Sequence, residues 1–135
     1  MSVKKREHVG SRIPLSLQLL NIFFKAAIDR KFTEAEKILQ EMEEKSKGNE
    51  ASEFKRGFIL GLKGIIIMQR SNDQFTILSN LDLSNIEMLK KYYSIFSANA
   101  KSKLHADYDR GYFLALAEYT LFALRYTKTS QKNNT

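Results

Sequence analysis

The 135 residues include no cysteine and no tryptophan, and only one proline. Without cysteine there is no disulfide framework, no thiolate metal site and no thiol nucleophile. With Pro14 as the single proline, the strongest helix breaker is missing from the rest of the chain. Long hydrophobic runs are missing too. The most apolar stretch, Phe58 to Met68, is interrupted by Lys63 and falls short of the ~20 residues that a bilayer-spanning helix needs. The basic N-terminus has no small-residue cleavage site after its apolar segment, so no signal peptide is read and a cytoplasmic location is expected.

The signatures of catalysis are also absent. His8 and His105, the only histidines, have no metal-ligand spacing. No glycine-rich loop leads into Gly-Lys-Ser/Thr. Asp107 and Asp109 lack the further oxygen ligands of a cation loop, and favourable charge at a helix start explains them. The expectation is a non-enzymatic protein with no cofactor and no metal.

What is present is apolar residue at helical spacing. Hydrophobic residues make up 43% of the chain, enough for one domain with a core. Leu15, Leu19, Ile22, Phe23 and Ala26 form one stripe, widened by Leu20, Phe24 and Ala27, which predicts a helix over 15–30. Ala35, Ile38, Leu39 and Met42 predict a second, opened by a Thr33/Glu36 capping box and running to about residue 47, before a Gly48-Asn49 stop. A third is expected over 50–70, apolar nearly all round. A fourth is expected over 85–98, with Ile86, Leu89, Tyr93 and Phe96 inward and Ser84/Glu87 as its capping box. A fifth, over 107–127, carries the stripe Tyr108, Tyr112, Ala115, Tyr119, Phe122, Tyr126. Residues 75–78 fit either a helical turn or an extended stretch. The predicted fold is all-α, one compact five-helix domain over 13–128, with a flexible basic arm at 1–12 and a disordered tail at 129–135.

One phrase occurs twice. Glu53-Phe54-Lys55-Arg56-Gly57-Phe58-Ile59-Leu60-Gly61-Leu62 returns as Asp107-Tyr108-Asp109-Arg110-Gly111-Tyr112-Phe113-Leu114-Ala115-Leu116. It implies a pseudo-repeat of two helix pairs, the second helix with the third and the fourth with the fifth. The third and fifth should then pack together at the centre. Gly57, Gly61 and Gly64 share a helix face, and each costs ~1 kcal/mol against alanine, so a close helix–helix approach is expected there. Arg56 and Arg110 hold equivalent places. They read either as phosphate or carboxylate clamps or as i, i+3 partners of Glu53 and Asp107.

The net charge of +7 is uneven: seven Lys/Arg against two acids over 1–31, three against seven over 32–53, twelve against six over 54–135. Lys4, Lys5, Arg6 and Arg12 form a basic arm. Lys90, Lys91, Lys101, Lys103 and His105 are expected to form a second basic surface near the start of the fifth helix. Such groups neutralise phosphates with little sequence preference, and no recognition-helix pattern points to base reading.

Residues 26–39, AAIDRKFTEAEKIL, resemble the middle of a tetratricopeptide-type helical hairpin. Phe32, Ala35 and Leu39 stand at that family's turn aromatic, alanine and bulky positions. The family's glycine is Arg30 here, its small residue in the first helix is Phe23, and its closing proline is missing. The likeness covers residues 18–47, one unit, and implies a helical hairpin there. The Lys/Ile-rich composition is similar to that of small proteins of hyperthermophilic archaea. The profile is similar in kind to small helical subunits of archaeal ribonucleoprotein particles. The leading expectation is a basic helical protein that contacts RNA or DNA backbone within a larger complex, without a membrane role. The alternative is a protein–protein adaptor, with an acidic protein partner or one docking on the helical hairpin or the aromatic surface of the fifth helix.

Overall fold

The computed structural model describes residues 13–45, 52–71 and 85–133. Those residues form α1 (Leu17–Ile28), α2 (Phe32–Lys45), α3 (Glu53–Ser71), α4 (Ile86–Lys101) and α5 (Asp107–Asn133), with no strand among them. The all-α expectation holds. The arm with Lys4, Lys5, Arg6 and Arg12, the Gly48-Asn49 stop and residues 75–78 lie outside the described residues.

The helix ends differ from the expected ones for local reasons. α1 starts at Leu17 because Ser16 caps it, its hydroxyl accepting the Leu19 N–H at 3.3 Å. α2 starts at Phe32, so Thr33 lies inside the first turn rather than capping it. The carboxylate of Glu36 meets Arg70 at 2.9 Å instead. Asn85, not Ser84, caps α4 through its side-chain oxygen, which accepts the Met88 N–H at 3.0 Å. α4 runs on to Lys101, past the expected end at 98. α5 continues to Asn133, where a tail was expected from 129. No glycine or proline follows Thr127 to stop it.

The directions of the helices follow from who touches whom. A Cβ on Gly57 would overlap the Tyr108 carbonyl, and a Cβ on Gly111 would overlap that of Phe54. A Cβ on Gly61 would lie 2.6 Å from the Ala115 Cβ. Partner numbers rise together along this contact, so α3 and α5 run parallel. The two copies of the phrase pack on each other with local two-fold symmetry, each glycine seated on the other helix's backbone. Small residues four apart allow this close approach. α2 is antiparallel to α3, since Glu43 pairs with Lys63 at 3.2 Å and Glu36 with Arg70. α1 runs with α5: Phe24 meets Tyr119 and Phe122, and Asp29 accepts the Tyr126 hydroxyl at 3.2 Å. α4 returns antiparallel along α5 through the link 102–106.

α5 is thus the centre, against α1, α3 and α4. Tyr119 and Ala115 of its stripe are fully buried, with Tyr108, Tyr112, Phe122 and Tyr126 half-buried. The stripe is core. α3 is less enclosed than its composition implies: Leu60 is 43% and Ile67 63% exposed, beside exposed Lys63. Gly64 gives no close approach among the described residues, since its Cβ would meet only Met68 of its own helix, at 3.4 Å. On α1, the buried line is Leu20, Phe23, Phe24, Ala26 and Ala27, while Ile22 faces outward. The expected pairing of helices is unequal. α4 lies along α5 closely, whereas α2 is shared between α1 and α3.

Candidate nucleic-acid interface

α4 presents its lysines outward because Leu89 and Phe96 turn inward. Lys90, Lys91 and Lys101 are exposed, and Lys90 and Lys101, eleven residues and about three turns apart, lie on one side. Lys103 is exposed in the link, next to Leu104 at 96% exposure. Among the described residues of α4 and the link, Glu87 is the one carboxylate, 4.0 Å from Lys90.

The expected second surface is divided. About 15 Å of helix separates Lys91 from Lys101, so Lys90 and Lys91 lie away from the start of α5, while Lys101 and Lys103 lie beside it. His105 is occupied. Asn99 donates its amide N–H to the Ile95 carbonyl at 2.9 Å, which turns its oxygen toward the ring. His105 Nε2 therefore donates to that oxygen, also at 2.9 Å. The imidazole also lies 5.5 Å from the Phe113 ring. His105 closes the α4–α5 link. Tyr92 of α4 stacks within the protein on Phe96, at 6.0 Å.

Arg56 and Arg110 occupy unlike places. Arg110 is half-buried and paired with Asp107 one turn earlier; its Nε is buried without a partner. Arg56 is exposed, and no ion pair joins it to Glu53 among the described residues. Both stand at the helix starts, on opposite flanks of the glycine contact.

Sequence reasoning missed a cluster at the α1–α2 turn. Arg30, Lys31, Phe32, Thr33, Glu34 and Lys37 line an open hollow of about 530 Å³. Arg30 adopts φ 61°, the left-handed region that favours glycine. It stands where the tetratricopeptide pattern carries glycine. The turn ends α1 with Arg30 N–H bonded to the Ala27 carbonyl at 3.1 Å and Lys31 N–H to that of Ala26 at 2.8 Å, a Schellman arrangement. The Arg30 guanidinium donates to the Gln69 carbonyl at 3.1 Å and lies 5.0 Å from the Phe32 ring. Arg70 approaches the same ring at 5.5 Å. The signal available in the sequence was Arg30-Lys31 between two apolar helices, with Lys37 one turn into the next.

Perturbed titration occurs elsewhere. Burial raises the Glu118 carboxyl above its ordinary range, against a lowering pull from Arg125, and its Oε2 has no partner. Burial likewise raises the Tyr119 hydroxyl. The hydrogen bond from Lys25, at 2.6 Å, lowers Asp29. No group of three His, Cys, Asp or Glu among the described residues is arranged to hold a metal, and no described helix is long and apolar enough to cross a membrane.

No protein-family model, no curated protein and no solved structure matches the chain.

Proposed function

We propose that this is a non-enzymatic helical protein that contacts the phosphate backbone of RNA or DNA as part of a larger complex. The observation that carries the reading is the set of exposed lysines Lys31, Lys37, Lys90, Lys91, Lys101 and Lys103, of which Lys90 alone has a carboxylate, Glu87, within ion-pair distance among the described residues. Exposed lysines on a chain of net charge +7 favour a polyanion and give binding that falls steeply with salt. The checking measurement is fluorescence anisotropy with a labelled single-stranded RNA and a DNA duplex of mixed sequence. Binding near 50 mM salt should weaken by at least about tenfold by 200 mM. Absence of binding to both at the lower salt sinks the reading.

The adaptor reading is favoured by a different observation. Leu39 and Ile66 floor a groove of about 410 Å³ between α2 and α3, with exposed Ile67 at its edge and Lys63 and Glu43 across it. Such a groove suits the apolar face of a partner helix. Ile67→Glu should abolish co-purification of such a partner while leaving nucleic-acid binding unchanged.

A further inference from the structure

We infer that the principal polyanion contact is the α1–α2 corner, at the bundle end where α3 finishes, and not the α4–α5 link at the opposite end. This rests on the nucleic-acid reading above and places it.

The argument starts from helix direction. Because α1, α3 and α5 run parallel and α2 antiparallel, the end of α1, the start of α2 and the end of α3 share one end of the bundle. α5 passes the same level at Tyr126, through its bond to Asp29. Charges far apart in sequence meet there. Residues 25–37, 69–70 and 125–126 hold six cations against three carboxylates. At the other end, residues 41–45, 52–56 and 101–110, with Lys63 that pairs with Glu43, hold seven cations against six carboxylates. Counted over the described residues, the lysines of the link therefore work within a nearly balanced field, whereas those of the corner do not.

Pairing sharpens the contrast. At the corner, two of the three carboxylates are engaged, Asp29 by Lys25 and Glu36 by Arg70. Lys31 and Lys37 are exposed, have no carboxylate within ion-pair distance among the described residues, and line the same hollow. At the other end Asp107 holds Arg110 and Glu41 holds Lys45 at 3.6 Å. Glu53 and Asp109 are exposed at the same end.

The corner is also stiff. The Arg30 guanidinium is fixed by the Gln69 carbonyl and by Phe32, and Arg70 by Glu36 and the same ring. A planar guanidinium already held in place loses less freedom when a phosphate arrives. The hollow is walled by Arg30, Lys31 and Lys37, the Thr33 hydroxyl, the Phe32 ring and one carboxylate, Glu34. Three cations against one carboxylate fit the phosphates of a phosphodiester strand.

The test compares two double variants of the full chain, Lys31→Ala with Lys37→Ala, and Lys101→Ala with Lys103→Ala. Thermal melts of each confirm folding. The probes are a labelled single-stranded RNA and a labelled acidic peptide, titrated between about 50 and 200 mM salt. The corner variant should bind RNA roughly tenfold more weakly, with a log–log salt slope shallower by about 1.4 for two lost phosphate contacts. The link variant should stay within about threefold of the parent. A link variant that loses as much as the corner variant, or more, overturns the inference and leaves the nucleic-acid reading standing. A parent protein that ignores RNA at low salt overturns both. Peptide binding lost in the corner variant, with RNA ignored, assigns the corner to an acidic protein and likewise overturns it.

Discussion

Gly57 lies directly against the carbonyl of Tyr108, with no space between the helices for a methyl group. The neighbour is backbone, which cannot turn aside as a side chain can. Gly57→Ala should therefore cost about 3 kcal/mol, the upper range of overpacking, and Gly111→Ala a similar amount by the local symmetry. Gly64→Ala should be neutral or stabilising by up to ~1 kcal/mol, its Cβ meeting only Met68 among the described residues, at ordinary distance. Urea denaturation of the three variants decides the matter. Equal stability of the Gly57 and Gly64 variants would contradict the parallel contact.

Arg30 combines backbone strain with side-chain contacts that offset it. Arg30→Gly removes the strain of φ 61° and the contacts to Gln69 and Phe32 together. Arg30→Ala removes the contacts alone. The glycine variant should be the more stable of the two by about 1 kcal/mol. An alanine variant that melts at or above the glycine variant would show that the turn relaxes.

Glu118 supplies a pH signature. Its carboxyl is raised by burial, so the folded state binds its proton more tightly than the unfolded state does. This contribution is fully present below the ordinary carboxylate range and is lost as pH rises through the raised value. Glu118→Gln should stabilise the fold at pH near 8, by about 1–2 kcal/mol if the unpartnered oxygen is the main cost, with little effect at pH near 4. Denaturation curves at both values check it. A variant equally destabilised at both contradicts the assignment.

Asn99 and His105 make the fourth case. Asn99→Ala removes the acceptor of the ring N–H and should cost ~1 kcal/mol. Amide hydrogen exchange should speed up in residues 102–106 before any other described segment. Uniform acceleration along the chain would mean that the pair does not act locally.

The repeated phrase was the most legible feature of the chain, because side-chain spacing reports which faces are small and apolar. It indicated that α3 and α5 meet, and that Gly57 and Gly61 serve the contact. It did not separate Gly64, which shares their face but lies a further turn along, where no described neighbour approaches. The caps were misread because Thr33 and Ser84 fit the pattern, while backbone geometry set the first helical residues at Phe32 and Ile86. The outward lysines of α4 followed from its period. Their division between two ends of the helix did not register, because lysines close in sequence were taken as close in space. The charge at the α1–α2 corner is assembled by three helices and needed their directions, which no local pattern carries.

The pairing of Gly57 with Tyr108 also has a temporal side. The two halves of the tightest contact are about fifty residues apart, and α3 gains its main partner only when α5 arrives. During synthesis the α1–α2 hairpin can form from neighbouring residues alone. Phe58, Leu62 and Ile65, fully buried in the finished protein, lack the cover of α5 until that helix is made. Closure over that distance is entropically slow compared with helix formation. α5, synthesised after the other four helices, is therefore the element that commits them to their fold.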